Sequence, residues 1–230
     1  MSHILIFAHS ENPPLAALLP MLKRLGHSYT ITRMLFGEKP PAHKDVDGVI
    51  ILGAAANIRQ ADELEWLQRE MAWVKDFITT KRPIFGICFG CQMLAKLMGG
   101  DTFVGDNGRE FSYTNVTLEN SDPIFKPEIL AKLPVFQAHR ETYTLPTNAT
   151  RLLSGDTYTE QAAKFGHNLY GVQFHPEICA EIATRWHRFG LERDFDFGEN
   201  FPSIEEHTKL ASKNQKPVHA WLEGFLSRLF

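Results

Sequence analysis

Much of what this 230-residue chain could have been is excluded by what it does not contain. Cysteine is scarce: Cys88, Cys91 and Cys179 are too few for a disulfide framework, so a reducing, cytoplasmic setting is expected. No apolar run reaches the length of a membrane-spanning helix, and the chain does not open with a charged stretch followed by a longer apolar one; no membrane association is expected. An excess of positive charge is missing too. With 24 Lys and Arg against 27 Asp and Glu, the formal net charge of -3 offers no footprint for nucleic acid. Trp66, Trp73, Trp186 and the phenylalanines then read as core packing rather than as platforms for stacked bases. The 10 histidines are scattered, with no H-E-x-x-H and no paired C-x-x-C, so neither a metal nor another cofactor is expected. A P-loop is absent, so no ATP-driven chemistry is expected of these residues. There is no repeat, low-complexity tract or linker. A hydrophobic content of 43% suffices for one substantial core, and residues 1–230 read as one domain.

What is present alternates. The continuous apolar run Ile4-Leu5-Ile6-Phe7-Ala8, within His3 to His9, fits a parallel strand buried on both faces. Asn12-Pro13-Pro14 opens a helix expected to reach Leu25, kinked at Pro20 and stopped by Gly26. Tyr29 to Met34 and Asp45 to Leu52 are further strands. Between them and the next strand lies an amphipathic helix, Ala61 to Thr79, with Leu64, Leu67, Met71, Val74 and Ile78 at helical spacing. This order predicts a mostly parallel central sheet with helices on both faces, binding its ligand beyond the carboxyl ends of the strands. The second half is richer in short β segments: Thr114 to Leu118, Val135 to His139, Arg151 to Leu153, Gln161 to Phe165 and Leu169 to Phe174. These suggest a smaller antiparallel layer. A helix is expected from Glu177 to Phe189, a loop over Asp194 to Pro202, and a last helix from Pro217, a residue suited to a first helical position, to Phe230.

The chemistry centres on Ile84-Phe85-Gly86-Ile87-Cys88-Phe89-Gly90-Cys91-Gln92. A short apolar strand meets a helix at a cysteine flanked two residues away by glycines, the shape of a nucleophile elbow. The helix N-terminus favours thiolate over thiol at Cys88, and the N–H of Phe89 lies where an oxyanion would develop. The competing reading is a buried structural cysteine. A base decides between them. Gly171-Val172-Gln173-Phe174-His175-Pro176-Glu177 ends a strand with a histidine on the same sheet edge, and a carboxylate two residues on can orient its ring. Gly53 follows a strand end as well and belongs on that edge.

Taken together, Gly-Ile-Cys-Phe-Gly-x-Gln and Gln-Phe-His-Pro-Glu resemble the class I (triad) glutamine amidotransferases, in particular stand-alone members similar to the glutaminase domain of GMP synthetase. The resemblance spans roughly residues 45 to 180. It implies a flavodoxin-like α/β fold and attack by Cys88 on the side-chain amide of glutamine, giving a γ-glutamyl thioester and ammonia, with His175 activating water and Glu177 orienting it. It further implies that Gly53, Gln92, His139 and the Arg109-Glu110-Phe111-Ser112-Tyr113 stretch border the glutamine pocket, and that the backbone N–H of Ala54 joins that of Phe89 in the oxyanion hole. This chain departs from the family pattern in having Gly53-Ala54-Ala55 in place of Gly-Gly-Pro. A positive φ at Ala54 would cost about 1 kcal/mol. It also has Arg140 where glycine is usual, a side chain able to close the pocket or grip a carboxylate, though an outward, solvated arginine is the plainer reading.

Other readings stay open at this point. The same triad would cleave a γ-glutamyl peptide or conjugate. A silent domain would bind glutamine or a synthetase partner without turnover. Cys88-Phe89-Gly90-Cys91 has thioredoxin-like spacing, and Cys91 could cap Cys88 in a reversible disulfide. Any ammonia put to use would need a separate acceptor subunit.

Overall fold

Ile4, Leu5, Ile6 and Phe7 decide how the central sheet is covered. All are fully buried, yet they divide. Ile4 and Ile6 pack with Leu18, Leu22, Ile50, Phe85 and Phe225, whereas Leu5 and Phe7 join Val49, Ile51, Leu67, Val74 and Phe77. Neighbouring residues of a strand point to opposite faces, so a strand that is apolar throughout needs cover on both. The computed structural model, which describes residues 1–193 and 201–230, supplies that cover.

The strands are β1 (His3–Phe7), β2 (Ser28–Thr32), β3 (Gly48–Ile51), β4 (Ile84–Ile87), β5 (Thr102–Val104), β6 (Glu110–Thr114), β7 (Thr117–Leu118), β8 (Val135–His139), β9 (Glu141–Tyr143), β10 (Thr150–Ser154), β11 (Ala162–Gly166) and β12 (Leu169–Val172). The α-helices are α1 (Leu18–Arg24), α2 (Glu65–Ile78), α3 (Phe89–Leu97), α4 (Pro127–Leu130), α5 (Ala180–Glu192) and α6 (Ile204–Leu229). One sheet of 8 strands runs β2-β1-β3-β4-β12-β11-β10-β7. From β2 to β12 the pairing is parallel, and β11, β10 and β7 extend it antiparallel. α1 and α6 cover one face; α2 and α3 cover the other. The antiparallel pairs β5–β9 and β6–β8 form the smaller layer. Phe136 of β8 packs there with Ile182 and Ala183 of α5 and Ala211 of α6. Among the described residues, no helix is long and apolar enough to cross a membrane.

Several boundaries correct the sequence reading. The first helix starts at Leu18, not at Asn12, because a residue preceding proline is pushed out of the helical region and two prolines follow one another here. Pro20 lies in the first turn, where its missing N–H costs nothing. Thr114 to Leu118 is not one strand: β6 pairs with β8 while β7 pairs with β10, so the chain leaves one sheet and enters another. Glu177 precedes its helix, which begins only at Ala180. The last helix begins at Ile204 and runs through Pro217. Its start is set by Ser203 and Glu206, whose side chains each accept the other's backbone N–H, at 3.2 and 2.9 Å. Buried residues at 207, 211, 214, 218, 222 and 225 keep helical spacing across the proline, and that stripe overrides the lost hydrogen bond. Of the loop expected over Asp194–Pro202, residues 194–200 lie outside the described residues.

Candidate active site

The turn from β4 into α3 holds Cys88 at φ 52° and ψ −105°. A side chain in such a region costs roughly 1–3 kcal/mol, which the surroundings must offset. They do so by close approach. A Cβ on Gly86 would come within 2.5 Å of the Gly90 backbone, and one on Gly90 would run into the Ile51 carbonyl. Glycine at both places lets three backbone segments meet beneath the sulfur. The Cys88 N–H donates to the Val172 carbonyl at 2.8 Å, tying the bend to the end of β12.

From that same strand end the chain continues to His175, whose N–H donates to the Phe136 carbonyl at 2.8 Å. The His175 ring stands 2.8 Å, at Nδ1, from Glu177 Oε1, and the Cys88 sulfur is near enough to act on the charge of the imidazole. Glu177 is wholly buried, and its Oε2 has no partner among the described residues. Burial works against an imidazolium at this place. The Glu177 carboxylate and the Cys88 sulfur outweigh it, and the pKa of His175 is pushed up to about 10. Trp186 of α5 meets the imidazole edge-on, with ring centres 5.3 Å apart. Thiol, imidazole and carboxylate thus lie in one row, an arrangement suited to a nucleophile with a proton carrier and an orienting anion.

The row opens onto a cleft of about 460 Å³ lined by Gly53, Ala54, Phe111 and Ala138 as well as Cys88 and His175. Gly53 lies so close that a Cβ there would be 2.9 Å from His175 Cε1. Ala54 is not among the described residues with positive φ, so the Gly-Ala-Ala run carries no left-handed strain. The N–H groups of Ala54 and Phe89 find no backbone acceptor among the described residues. Other expected pocket residues stand back from the cleft. Gln92, buried, donates through Nε2 to the Glu141 carbonyl at 3.0 Å and to Gln173 Oε1 at 3.1 Å. His139 faces inward toward Glu110 and Gln137, because its neighbour Ala138 takes the cleft side of β8. Arg140 is exposed beyond the end of that strand, close enough to Arg109 and Tyr158 to act on their charge.

Several residues around the site escaped the sequence reading. Gln173 donates through Nε2 to Cys88 Sγ at 3.6 Å, and its place two residues before His175 was the signal available. His9, Ser10, Asn12 and Pro14 line the cleft from the end of β1, and Arg185, Trp186 and Phe189 from α5. Their sequence signal was weaker: a strand ending on the ligand edge, and a helix following the histidine directly. Cys91, by contrast, is fully buried, and burial pushes its thiol well above the ordinary range. Its sulfur lies against Gly171 beneath the sheet, poorly set for exchange with Cys88. Among the described residues no group of three or more His, Cys, Asp or Glu side chains is placed to hold a metal ion.

A sequence model of the family described as "Glutamine amidotransferase class-I" matches residues 15–187. Gamma-glutamyl peptidase 5 of Arabidopsis thaliana is 28% identical over 166 residues, 68% of this chain and 64% of that protein. A GMP synthase (glutamine-hydrolyzing) of Haemophilus influenzae is 40% identical over 106 residues, 42% of this chain and 20% of that one. One subunit of the GMP synthase (glutamine-hydrolyzing) of Pyrococcus abyssi is 39% identical over 99 residues, 42% of this chain and 52% of that one. The chain therefore matches less than two thirds of the length of each of these relatives. The crystal structure of a glutamine amidotransferase from Thermotoga maritima superimposes with a TM-score of 0.87 at 24% identity, covering 99% of this chain and 97% of that one. At that identity, the likeness shows the fold.

Proposed function

The chain belongs to the class I glutamine amidotransferases, and from that premise we propose that it hydrolyses a γ-glutamyl amide through a thioester on Cys88. The observation that carries this reading is the row formed by Cys88, His175 and Glu177, with 2.8 Å between His175 Nδ1 and Glu177 Oε1. Cys88 Sγ attacks the γ-carbonyl carbon, and its proton resides on His175. The N–H groups of Ala54 and Phe89 hold the tetrahedral oxyanion; one such donor is typically worth roughly 10²–10³ in rate. His175 then protonates the departing nitrogen, which leaves as ammonia or an amine. Water enters, gives a proton to His175, and releases glutamate while the sulfur takes its proton back. Glu177 holds the ring and its charge throughout.

Free glutamine is the first substrate, as the family implies, and the ammonia released would then pass to a synthetase partner. The likeness to a single subunit of the Pyrococcus abyssi GMP synthase favours such a partner. A second reading, cleavage of γ-glutamyl peptides or conjugates, has its own support. The cleft, at about 460 Å³, is roomier than a glutamine side chain needs, Arg185, Trp186 and Phe189 of α5 line it, and one relative is a gamma-glutamyl peptidase. Its free cysteines suit a reducing, cytoplasmic setting in either case. Mass spectrometry of Cys88 after incubation with glutamine, and separately with glutathione-type γ-glutamyl compounds, tests both. A γ-glutamyl adduct is expected, and the faster-forming one names the substrate. No adduct with either leaves a silent binding domain.

A further inference from the structure

The loop after β3 is gripped by a residue outside the thiol–imidazole–carboxylate row. His9, two positions past the end of β1, has a buried side chain whose Nδ1 lies 3.2 Å from the Gly53 carbonyl oxygen and whose Nε2 lies 2.9 Å from Glu70 Oε1 on α2. The ring is wedged against Phe89, with centres 4.9 Å apart, and against Trp66, at 5.7 Å. Both ring nitrogens thus face oxygen. A carbonyl only accepts, so Nδ1 carries its hydrogen. A second proton lies in the Nε2–Oε1 contact, whichever partner owns it.

Stability does not account for this pair. Buried His–Glu contacts gain little over well-packed apolar side chains, and the other Glu70 oxygen, Oε2, is buried without a partner among the described residues. Geometry accounts for it better. The Gly53 carbonyl and the Ala54 N–H belong to one peptide plane, and in a trans peptide they point opposite ways. A glycine on one side of that plane gives it unusual freedom to rotate. Holding the carbonyl from the His9 side therefore aims the N–H the other way. The reacting groups are next to Gly53: a Cβ there would be 2.9 Å from His175 Cε1 and 3.8 Å from Cys88 Cβ.

We propose that His9, oriented by Glu70, is a positioning residue that locks the Gly53–Ala54 peptide so that the Ala54 N–H faces the developing oxyanion. This rests on the thioester chemistry proposed above, but not on the identity of the leaving group.

The test compares His9→Gln, which keeps a donor near Nε2 and loses the one at Nδ1, with His9→Asn, which does the reverse. The probe is p-nitrophenyl acetate. Cys88 Sγ attacks its carbonyl, the bond to p-nitrophenolate breaks, and the acetyl adduct is located on Cys88 by mass spectrometry. His9→Gln is expected to acylate roughly 10–100-fold more slowly with unchanged KM, and His9→Asn to recover most of that loss. Alkylation of Cys88 by iodoacetamide, which forms no oxyanion, is expected to keep its native rate in both. Should His9→Gln not fold, Glu70→Met repeats the comparison with a smaller loss, roughly 5-fold. Native acylation rates in these variants would overturn the proposal, as would an equal loss in iodoacetamide alkylation. If the native protein leaves γ-glutamyl compounds intact while the ester still shows the His9 dependence, the proposed function falls and the positioning role stands.

Discussion

The proton on His175 ties the proposed chemistry to stability. The His175 pKa is pushed up to about 10, above the roughly 6.5 of an unfolded histidine. A raised pKa means the folded state binds the proton more tightly, so the stabilisation is complete below about pH 6.5 and disappears as pH rises through about 10. Thermal unfolding of the native chain and of Glu177→Gln should therefore differ most near pH 6 and converge toward pH 10. A difference that stays constant over that range would contradict the charged row. Gln173 is the next residue to probe. Its amide is fixed by Gln92 and donates to the sulfur at 3.6 Å. Hydrogen bonds to charged groups contribute about 1.5–3 kcal/mol, so Gln173→Leu should slow thioester formation at least roughly tenfold with little change in KM. That Cys88 and His175 would meet was legible because each sits in a short, rigid motif. Gln173 went unread because a spacer and a donor look alike until the strand end is bent around the elbow.

Elements were legible wherever one periodicity ruled. β1, β3, β4 and α2 announced themselves by apolar runs or a helical stripe. α6 did not, because two local signals competed: Pro217 resembles a helix start, while the actual start, Ser203 with Glu206, follows residues with no clear pattern. Removing the cap tests which signal governs. Ser203→Ala should cost about 0.5–2 kcal/mol in urea denaturation, as other lost caps do. His139 illustrates a second kind of miss. The strand β8 was placed correctly, but which of its two faces meets the cleft depends on its pairing with β6. That pairing turns Ala138 outward and His139 toward Glu110.

At the scale of the whole molecule, the site rests on a core that joins the two ends of the chain. Phe225 of α6 packs against Phe85, Phe125 and Tyr170, with ring centres 4.9, 5.2 and 5.5 Å away. Phe85 lies three residues before Cys88. Phe225→Ala should cost about 3–5 kcal/mol, read as a shifted denaturation midpoint, with turnover per folded molecule preserved at low temperature. The parallel sheet was legible in the alternation of elements. The position of β12 beside β4 was not, since no local pattern encodes a partner so far along the chain. Because β12 docks there, a nascent polypeptide still lacking Leu169–Val172 presents Cys88 on an unpaired edge, with no base delivered to it. Stalled or truncated products thus carry a lone sulfur, and the proposed chemistry becomes accessible only after most of the chain has left the ribosome.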